Sequence, residues 1–130
     1  MSPMSPEPKR ILVLDTDPGA QAQIERIFRD DGLSVDICPR IVDAVGCLKE
    51  ARYAAALVDV GLADTPWEQA VGIIKAVDGA LPVILTARVN TRDLESKVRE
   101  QDIFYYYIKS FDAEELRLAV LEAMRIGRNP

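Results

Sequence analysis

Residues 11–19 read ILVLDTDPG, and this stretch indicates the architecture of the chain. An apolar run followed directly by Asp15 is typical of a short strand that is buried on both faces and ends at a polar edge. Asp17 then suits the N-cap of a helix, and Pro18 suits its first position. A strand that passes directly into a helix is the basic unit of parallel α/β sheets.

The same pattern recurs along the rest of the chain. The predicted strands cover 11–15, 33–38, 55–60, 82–87 and 103–108, and predicted helices follow them from Pro18 to about 31, and over 41–52, 67–78, 91–101 and from Asp112 onward. Strands that alternate with helices predict a parallel sheet with helices on both faces and right-handed crossovers. The second strand alternates apolar and polar residues, so we expect it to be more exposed than the first.

Composition narrows the classes of function. The chain has 130 residues, of which 48% are hydrophobic and 28% charged, which fits one globular domain. Its net charge of −5 argues against direct nucleic-acid binding, which needs a basic face. Histidine is absent, which removes Ser-His-Asp and Cys-His catalysis and any histidine-ligated zinc site.

The ends of the chain are expected to lie outside the domain, which we place at 9–126. The first eight residues are proline-rich and lack the apolar core of a signal peptide, so 1–8 is predicted to be a disordered tail. Residues 127–130 read as a short tail or the start of a linker, and both a stand-alone protein and a domain of a longer one remain open. With no apolar run of spanning length, we expect a cytoplasmic protein without a membrane partner. Cys38 and Cys47 are expected to be reduced, packed thiols.

Polar residues follow four of the five predicted strands. Asp15, Thr16 and Asp17 close the first, Asp59 lies near the end of the third, Thr86 near that of the fourth, and Lys109 follows the fifth. Sites in open parallel sheets lie beyond the carboxyl ends of the strands, so these side chains should converge. Clustered carboxylates need a cation, and Mg²⁺ with Lys109 would supply it. With phosphate as ligand, Asp59 could act as the nucleophile, and Thr86 could donate a hydrogen bond.

Four motifs, in this order and spacing, resemble the receiver domain of two-component response regulators: ILVLDTD, ALVDVGL, PVILTA and YYIKSF. The resemblance spans about residues 9–125. It implies a flavodoxin-like α/β fold, (βα)₅, with a doubly wound parallel five-stranded sheet in the order 2-1-3-4-5. It further implies a domain that is not an enzyme but accepts a phosphoryl group from a sensor histidine kinase or phosphotransfer protein and then switches a surface that binds a downstream protein or a fused output domain.

The resemblance also assigns roles by position. It makes Asp59 the phosphoacceptor, assisted by Thr86 and Lys109. It assigns Mg²⁺ to Asp15, Asp59 and the backbone carbonyl of Gly61, with Thr16 or Asp17 as further candidates. It makes Thr86 and Tyr106 the switch pair.

Several positions depart from the family pattern. Thr16 replaces the second acid, which in the family usually binds the metal directly, so we expect weakened Mg²⁺ binding. Ala63 and Ser110 stand where the family typically has proline, and Trp67 where it often has glycine.

Three functions follow as hypotheses. The first is a phosphorylatable receiver, and the second is a pseudo-receiver that works as an interaction module without phosphate, which Thr16 favours. The third is a small Mg²⁺-dependent phosphohydrolase or nucleotide binder, which the lack of a glycine-rich phosphate loop disfavours. Dimerisation through the last helices is left open.

Overall fold

The computed structural model of the chain describes residues 8–109 and 112–126, which form five βα units. The strands are β1 (Arg10–Leu14), β2 (Ser34–Ile37), β3 (Ala55–Asp59), β4 (Val83–Ala87) and β5 (Tyr105–Ile108). The helices are α1 (Pro18–Arg29), α2 (Ile41–Glu50), α3 (Trp67–Val77), α4 (Arg92–Arg99) and α5 (Ala113–Ile126). The sheet is parallel, with strand order 2-1-3-4-5. The predicted fold class and strand order are confirmed.

Two apolar layers cover the two faces of the sheet. In β1, Ile11 and Val13 face the layer of α1 and α5, whereas Leu12 and Leu14 face the layer that contains α2 and α3. This alternation is what a two-residue strand repeat gives when both faces are buried, and it explains the continuous apolar run in the sequence. All four side chains are fully buried, so burial on both faces fixes the position of the strand that leads to Asp15.

Most boundaries lie within two residues of the predicted ones, and β2 is more exposed than β1, as predicted. Helical spacing makes Val71, Ile74 and Val77 candidate core residues of α3. Val71 and Ile74 are buried, but the prediction is wrong for Val77, which lies in the last turn of the helix with 41% of its surface exposed. Trp67 is buried against the α2–α3 side of the sheet. Its large ring therefore serves packing.

Helix ends follow local chemistry. Asp17 caps α1 by accepting a hydrogen bond from the Gly19 amide at 3.1 Å. Gly32 follows α1 with φ of 69°, a left-handed conformation that glycine adopts without the cost of a Cβ. Residues 1–7 of the tail predicted at 1–8, the whole of the tail predicted at 127–130 and the departure at Ser110 lie outside the described residues.

Candidate functional site

The side chains predicted to converge at the carboxyl edge of the sheet do lie together. Asp15 comes directly after β1, Asp59 ends β3, Thr86 lies near the end of β4, and Lys109 comes directly after β5. In the register of the sheet Asp59 pairs with Thr86. Although Asp15 and Lys109 are 94 residues apart in sequence, their side chains form a hydrogen bond. The parallel topology therefore brings these four residues into one cluster, here called the acid–lysine centre.

Lys109 bridges the two acids of this centre. Its Nζ lies 2.7 Å from Asp15 Oδ2 and 2.9 Å from Asp59 Oδ1. Burial alone lowers the pKa of Lys109, but its hydrogen bonds and charge interactions with Asp15 and Asp59 together outweigh burial and raise it. The lysine is therefore a fixed positive charge. It places a compensating charge between the two carboxylates.

The two carboxylates differ in how accessible they are. Asp15 has 2% of its side chain exposed, and its second oxygen, Oδ1, accepts a hydrogen bond from the Asp17 amide at 2.9 Å. Asp59 has 13% of its side chain exposed. Asp15 is thus held behind the site by contacts to both oxygens, whereas Asp59 is the acid that an incoming group can reach.

Three neighbours among the described residues hold Asp59. Besides Lys109, the Thr86 hydroxyl donates to Oδ1 at 3.3 Å, and the Gly61 amide donates to Oδ2 at 3.0 Å. A Cβ added to Gly61 would lie 3.0 Å from Asp59 Oδ2, so glycine leaves room beside this oxygen. These contacts orient the carboxylate and leave one side of it open to the edge of the sheet.

Thr16 and Asp17 do not join the acid–lysine centre. Thr16 is exposed. Asp17 caps α1 through Oδ1, and its Oδ2 pairs with Arg88 Nη2 at 3.1 Å. Arg88 was not predicted as a site residue, although it directly follows β4 at the same edge of the sheet. The Asp17–Arg88 pair spans two loops beside the centre and occupies the carboxylate that could have replaced the missing acid.

The donor set can be tested against a hard metal ion. Within residues 8–109 and 112–126, no three acids, cysteines or histidines are grouped so that they could hold a metal. Asp15 and Asp59 do offer two carboxylates, and Mg²⁺ in proteins is commonly bound by one or two carboxylates while it keeps several waters. Each of these carboxylates already shares one oxygen with Lys109. The residues therefore fit a hydrated Mg²⁺ ion held by few protein ligands.

Tyr106 lies on the opposite face of β5 from Tyr105 and Tyr107, as the strand repeat predicts. Its hydroxyl donates to Asn90 Oδ1 at 2.9 Å, and the Asn90 side chain also binds Glu95 of α4. The Thr86 hydroxyl is instead directed at Asp59. The two residues of the predicted switch thus have separate partners in this state.

The chain is similar to known proteins both in sequence and in fold. The family model described as the response regulator receiver domain matches residues 11–121. The transcriptional regulatory protein ZraR of Klebsiella oxytoca is 24% identical over 130 residues, which cover 98% of this chain and 29% of that protein. The chain therefore spans less than a third of the length of this curated relative.

Solved structures share the fold. A two-component response regulator from Clostridium difficile aligns with a TM-score of 0.84 at 19% identity, over 93% of this chain and 99% of the other. The receiver domain of a sensor histidine kinase from Pseudomonas aeruginosa PAO1, described with a magnesium ion in its active-site cleft, aligns with a TM-score of 0.80 at 22% identity, over 91% and 98% of the two chains.

In the part of the chain that the structure describes, no helix is long and apolar enough to cross a membrane.

The family match covers most of the chain and includes every residue of the acid–lysine centre. The resemblance that the four sequence motifs carried is thereby confirmed. This chain belongs to the response regulator receiver domains of two-component signalling.

Proposed function

We propose that this receiver domain accepts a phosphoryl group on Asp59. The observation that carries the proposal is the exposure and orientation of that carboxylate. It is the more exposed of two acids held by the same lysine, and it is oriented by Thr86 and Gly61. A nucleophile needs such access together with fixed orientation.

The chemistry transfers one group between two nucleophiles. A carboxylate oxygen of Asp59 attacks the phosphorus of a phosphohistidine, the P–N bond breaks, and the imidazole leaves with its electron pair and takes a proton. An acyl phosphate remains on Asp59. Because the transition state is loose, positioning and charge stabilisation matter more than acid–base groups, which is why a chain without histidine suits the reaction. Lys109 supplies a fixed charge beside the reacting oxygen, and Thr86 supplies a hydroxyl donor.

We assign Mg²⁺ binding to Asp15, Asp59 and the backbone carbonyl of Gly61. When bound, the ion would neutralise charge on the phosphoryl oxygens. Thr16 can offer at most a hydroxyl oxygen, and Asp17 is the weaker candidate because Arg88 and the α1 cap already use its carboxylate. With a threonine in place of the second acid, we expect Mg²⁺ to bind weakly until a phosphoryl group adds its own oxygens.

The switch would couple Asp59 to the surface around α4. Phosphorylation would add a phosphoryl group to the carboxylate that Thr86 contacts, and the Thr86 hydroxyl would turn to that group. Tyr106 would then exchange its Asn90 contact for an inward position, which changes the face that Asn90 and Glu95 present. Such a change biases two pre-existing states and needs no new fold.

The partners are proposed from the family and from the curated relative. A sensor histidine kinase or a phosphotransfer protein in the cytoplasm would supply the phosphoryl group. The ZraR relative is a transcriptional regulator more than three times the length of the matching segment, which supports a downstream output domain or protein as the receiver of the signal. We place no DNA contact in this domain, since its net charge is −5.

A phosphodonor experiment tests the assignment. The purified protein is incubated with acetyl phosphate and millimolar Mg²⁺, and its intact mass is measured. We expect one phosphoryl adduct on the native sequence and none on Asp59→Asn. Asp43→Asn, which alters an exposed acid on α2, is the matched control and should keep the adduct. An adduct that survives Asp59→Asn would overturn the site assignment.

One observation favours a second function, an interaction module that works without phosphate. Lys109 already pairs with both acids, and Thr16 removes the carboxylate that would favour a metal. Beryllofluoride, an acyl-phosphate mimic, separates the two functions. If neither acetyl phosphate nor beryllofluoride with Mg²⁺ changes the mass of the protein or its Trp67 fluorescence, the phosphate-independent function stands.

A further inference from the structure

The two cysteines of the chain form a pair that the phosphoacceptor chemistry does not use. Cys38 directly follows β2 and is buried with 3% of its surface exposed, and Cys47 lies on α2. Their Sγ atoms are 3.6 Å apart. A disulfide has a sulfur–sulfur distance of about 2.05 Å, so bond formation needs the sulfurs to approach by about 1.5 Å. Nothing lies between them that would have to be displaced, because the sulfurs are already in contact.

The two thiols differ in their access to reagents. Cys47 is half-buried and lines an open groove of about 370 Å³, together with Arg10, Asp36, Glu50 and Tyr53. Cys38 does not line that groove. Burial, with a smaller contribution from Cys47, raises the pKa of the Cys38 thiol to about 12. Cys47 is therefore the thiol that a reagent meets first, and Cys38 lies behind it as a protected partner.

We propose that Cys47 and Cys38 form a reversible redox site, which low-molecular-weight disulfides such as oxidised glutathione convert to an intramolecular disulfide. In the first step the thiolate of Cys47 attacks one sulfur of the glutathione disulfide, and one glutathione leaves as its thiolate. In the second step Cys38 loses its proton to solvent and attacks Cys47 Sγ, and the second glutathione leaves. Two protein thiols are oxidised, and one glutathione disulfide is reduced to two thiols.

Proximity favours the second step. A buried thiol is a weak nucleophile in free solution, but a partner held in contact reacts as an intramolecular group with a high effective concentration. The bond would close residues 38–47 into a loop that includes the start of α2. In that loop the Ile41 amide donates to Asp64 at 3.3 Å, so the oxidised segment borders the loop that follows Asp59. The redox site is thus separate from the phosphoacceptor but borders the loop that follows it.

Glutathione redox buffers test the proposal on the whole native protein. After incubation, free thiols are alkylated and the intact mass is measured. We expect a monomer that has lost two hydrogen atoms, carries no glutathione and takes up no alkylating agent, and that returns to the starting mass with dithiothreitol. Because the chain has only two cysteines, such a monomer can hold only the Cys38–Cys47 bond.

Single variants separate the order of the steps. Cys38→Ala should stop at a glutathione adduct on Cys47, and Cys47→Ala should leave Cys38 unreacted until the protein is unfolded in urea. Circular dichroism identifies a variant that fails to fold, and the result with the native sequence then decides alone. A native protein that stops at the glutathione adduct, forms only disulfide-linked dimers or stays reduced in strongly oxidising buffer would overturn the proposal.

Discussion

Two charge clusters connect the end of the chain with its beginning, and they are built differently. In the acid–lysine centre, Lys109 makes one contact with each of two acids from different strands. In the second cluster, here called the arginine clamp, Arg117 of α5 holds Asp31, just after α1, through two hydrogen bonds of 2.9 Å each. Both clusters pair residues that are more than 80 positions apart in the sequence.

The two clusters differ in how the cation occupies the oxygens of its carboxylate partner. The planar guanidinium of Arg117 occupies both oxygens of Asp31, and its remaining nitrogen binds Glu114. This bidentate geometry uses both oxygens of Asp31 within the pair. The ammonium of Lys109 is a point charge that touches one oxygen of Asp59, whereas the other oxygen accepts a hydrogen bond from the Gly61 amide. The arginine clamp therefore stabilises the α1–α5 contact, whereas the acid–lysine centre holds a reactive carboxylate in place.

The largest expected effect comes from removing Lys109, the cation of the acid–lysine centre. Lys109→Met leaves two mostly buried acids unpaired, so we expect a loss of about 3 kcal/mol in the free energy of unfolding without metal, near the lower end for breaking a buried ion pair. Phosphoryl uptake by Asp59 should fall by at least about 100-fold, as when a group that stabilises transition-state charge is removed. Urea unfolding and the acetyl phosphate reaction measure both quantities.

Arg117→Met is the matched comparison, because it removes a cation of the more exposed cluster. We expect a smaller loss of stability and an unchanged rate of phosphoryl uptake. If Arg117→Met slowed phosphoryl uptake as much as Lys109→Met does, the division between a reactive centre and a structural clamp would be wrong.

Thr16→Asp introduces the acid that the family usually has at this position. It should tighten Mg²⁺ binding and lower the stability of the metal-free protein. The added carboxylate should tighten Mg²⁺ binding by about tenfold, about 1.4 kcal/mol. Without metal it adds a third negative charge near Asp15 and Asp59, so stability should fall by about 1 kcal/mol at this exposed position. Calorimetric Mg²⁺ titration and metal-free urea unfolding report the two effects.

Thr16→Val tests the hydroxyl of the native residue, since it keeps the shape of the side chain. If the hydroxyl binds the metal, Thr16→Val should weaken Mg²⁺ binding further. Equal or tighter Mg²⁺ binding by the native protein than by Thr16→Asp would contradict the role given to position 16.

The acid–lysine centre should lose the stability contributed by Lys109 at alkaline pH, and the arginine clamp should lose the stability contributed by Asp31 at acid pH. Interactions with Asp15 and Asp59 raise the pKa of Lys109, so its contribution to stability is fully present below the ordinary lysine value of about 10.4 and is lost as the pH rises through the raised value. Hydrogen bonding to Arg117 lowers the pKa of Asp31. That contribution is present above the ordinary aspartate value of about 3.9 and is lost as the pH falls through the lowered value.

Pairwise unfolding curves across pH measure both contributions. The stability difference between the native protein and Lys109→Met should shrink as the pH rises through the raised pKa of Lys109. The difference between the native protein and Asp31→Asn should shrink as the pH falls through the lowered pKa of Asp31, and it should persist at alkaline pH. A Lys109→Met difference that persists at alkaline pH, or an Asp31→Asn difference that shrinks there, would contradict these directions.

The sequence was sufficient for the acid–lysine centre because strand order and strand ends together determine it. Each apolar run is followed by a polar residue, which marks the carboxyl end of a strand. Because parallel strands place these ends at the same edge of the sheet, Asp15, Asp59, Thr86 and Lys109 lie together there. The arginine clamp and Arg88 were not predicted. Their contacts depend on how helices and loops pack, and a surface arginine carries no periodic signal that identifies its partner. Val77 was misassigned for a similar reason, since helical spacing does not show where the packed turns end.

The smallest expected effect concerns the link between the acid–lysine centre and the α4 surface. Asn90→Ala removes the acceptor of the Tyr106 hydroxyl in a largely exposed setting, so stability should fall by no more than about 1 kcal/mol. Because the contact holds Tyr106 away from Thr86, its loss should favour the inward state and bring Tyr106 closer to its phosphorylated position before any phosphate is added. Ring resonances of Tyr106, followed by NMR with Tyr106→Phe for assignment, should move in Asn90→Ala toward those of the beryllofluoride-treated native protein. Resonances that stay at their native positions would show that Asn90 does not restrain the switch.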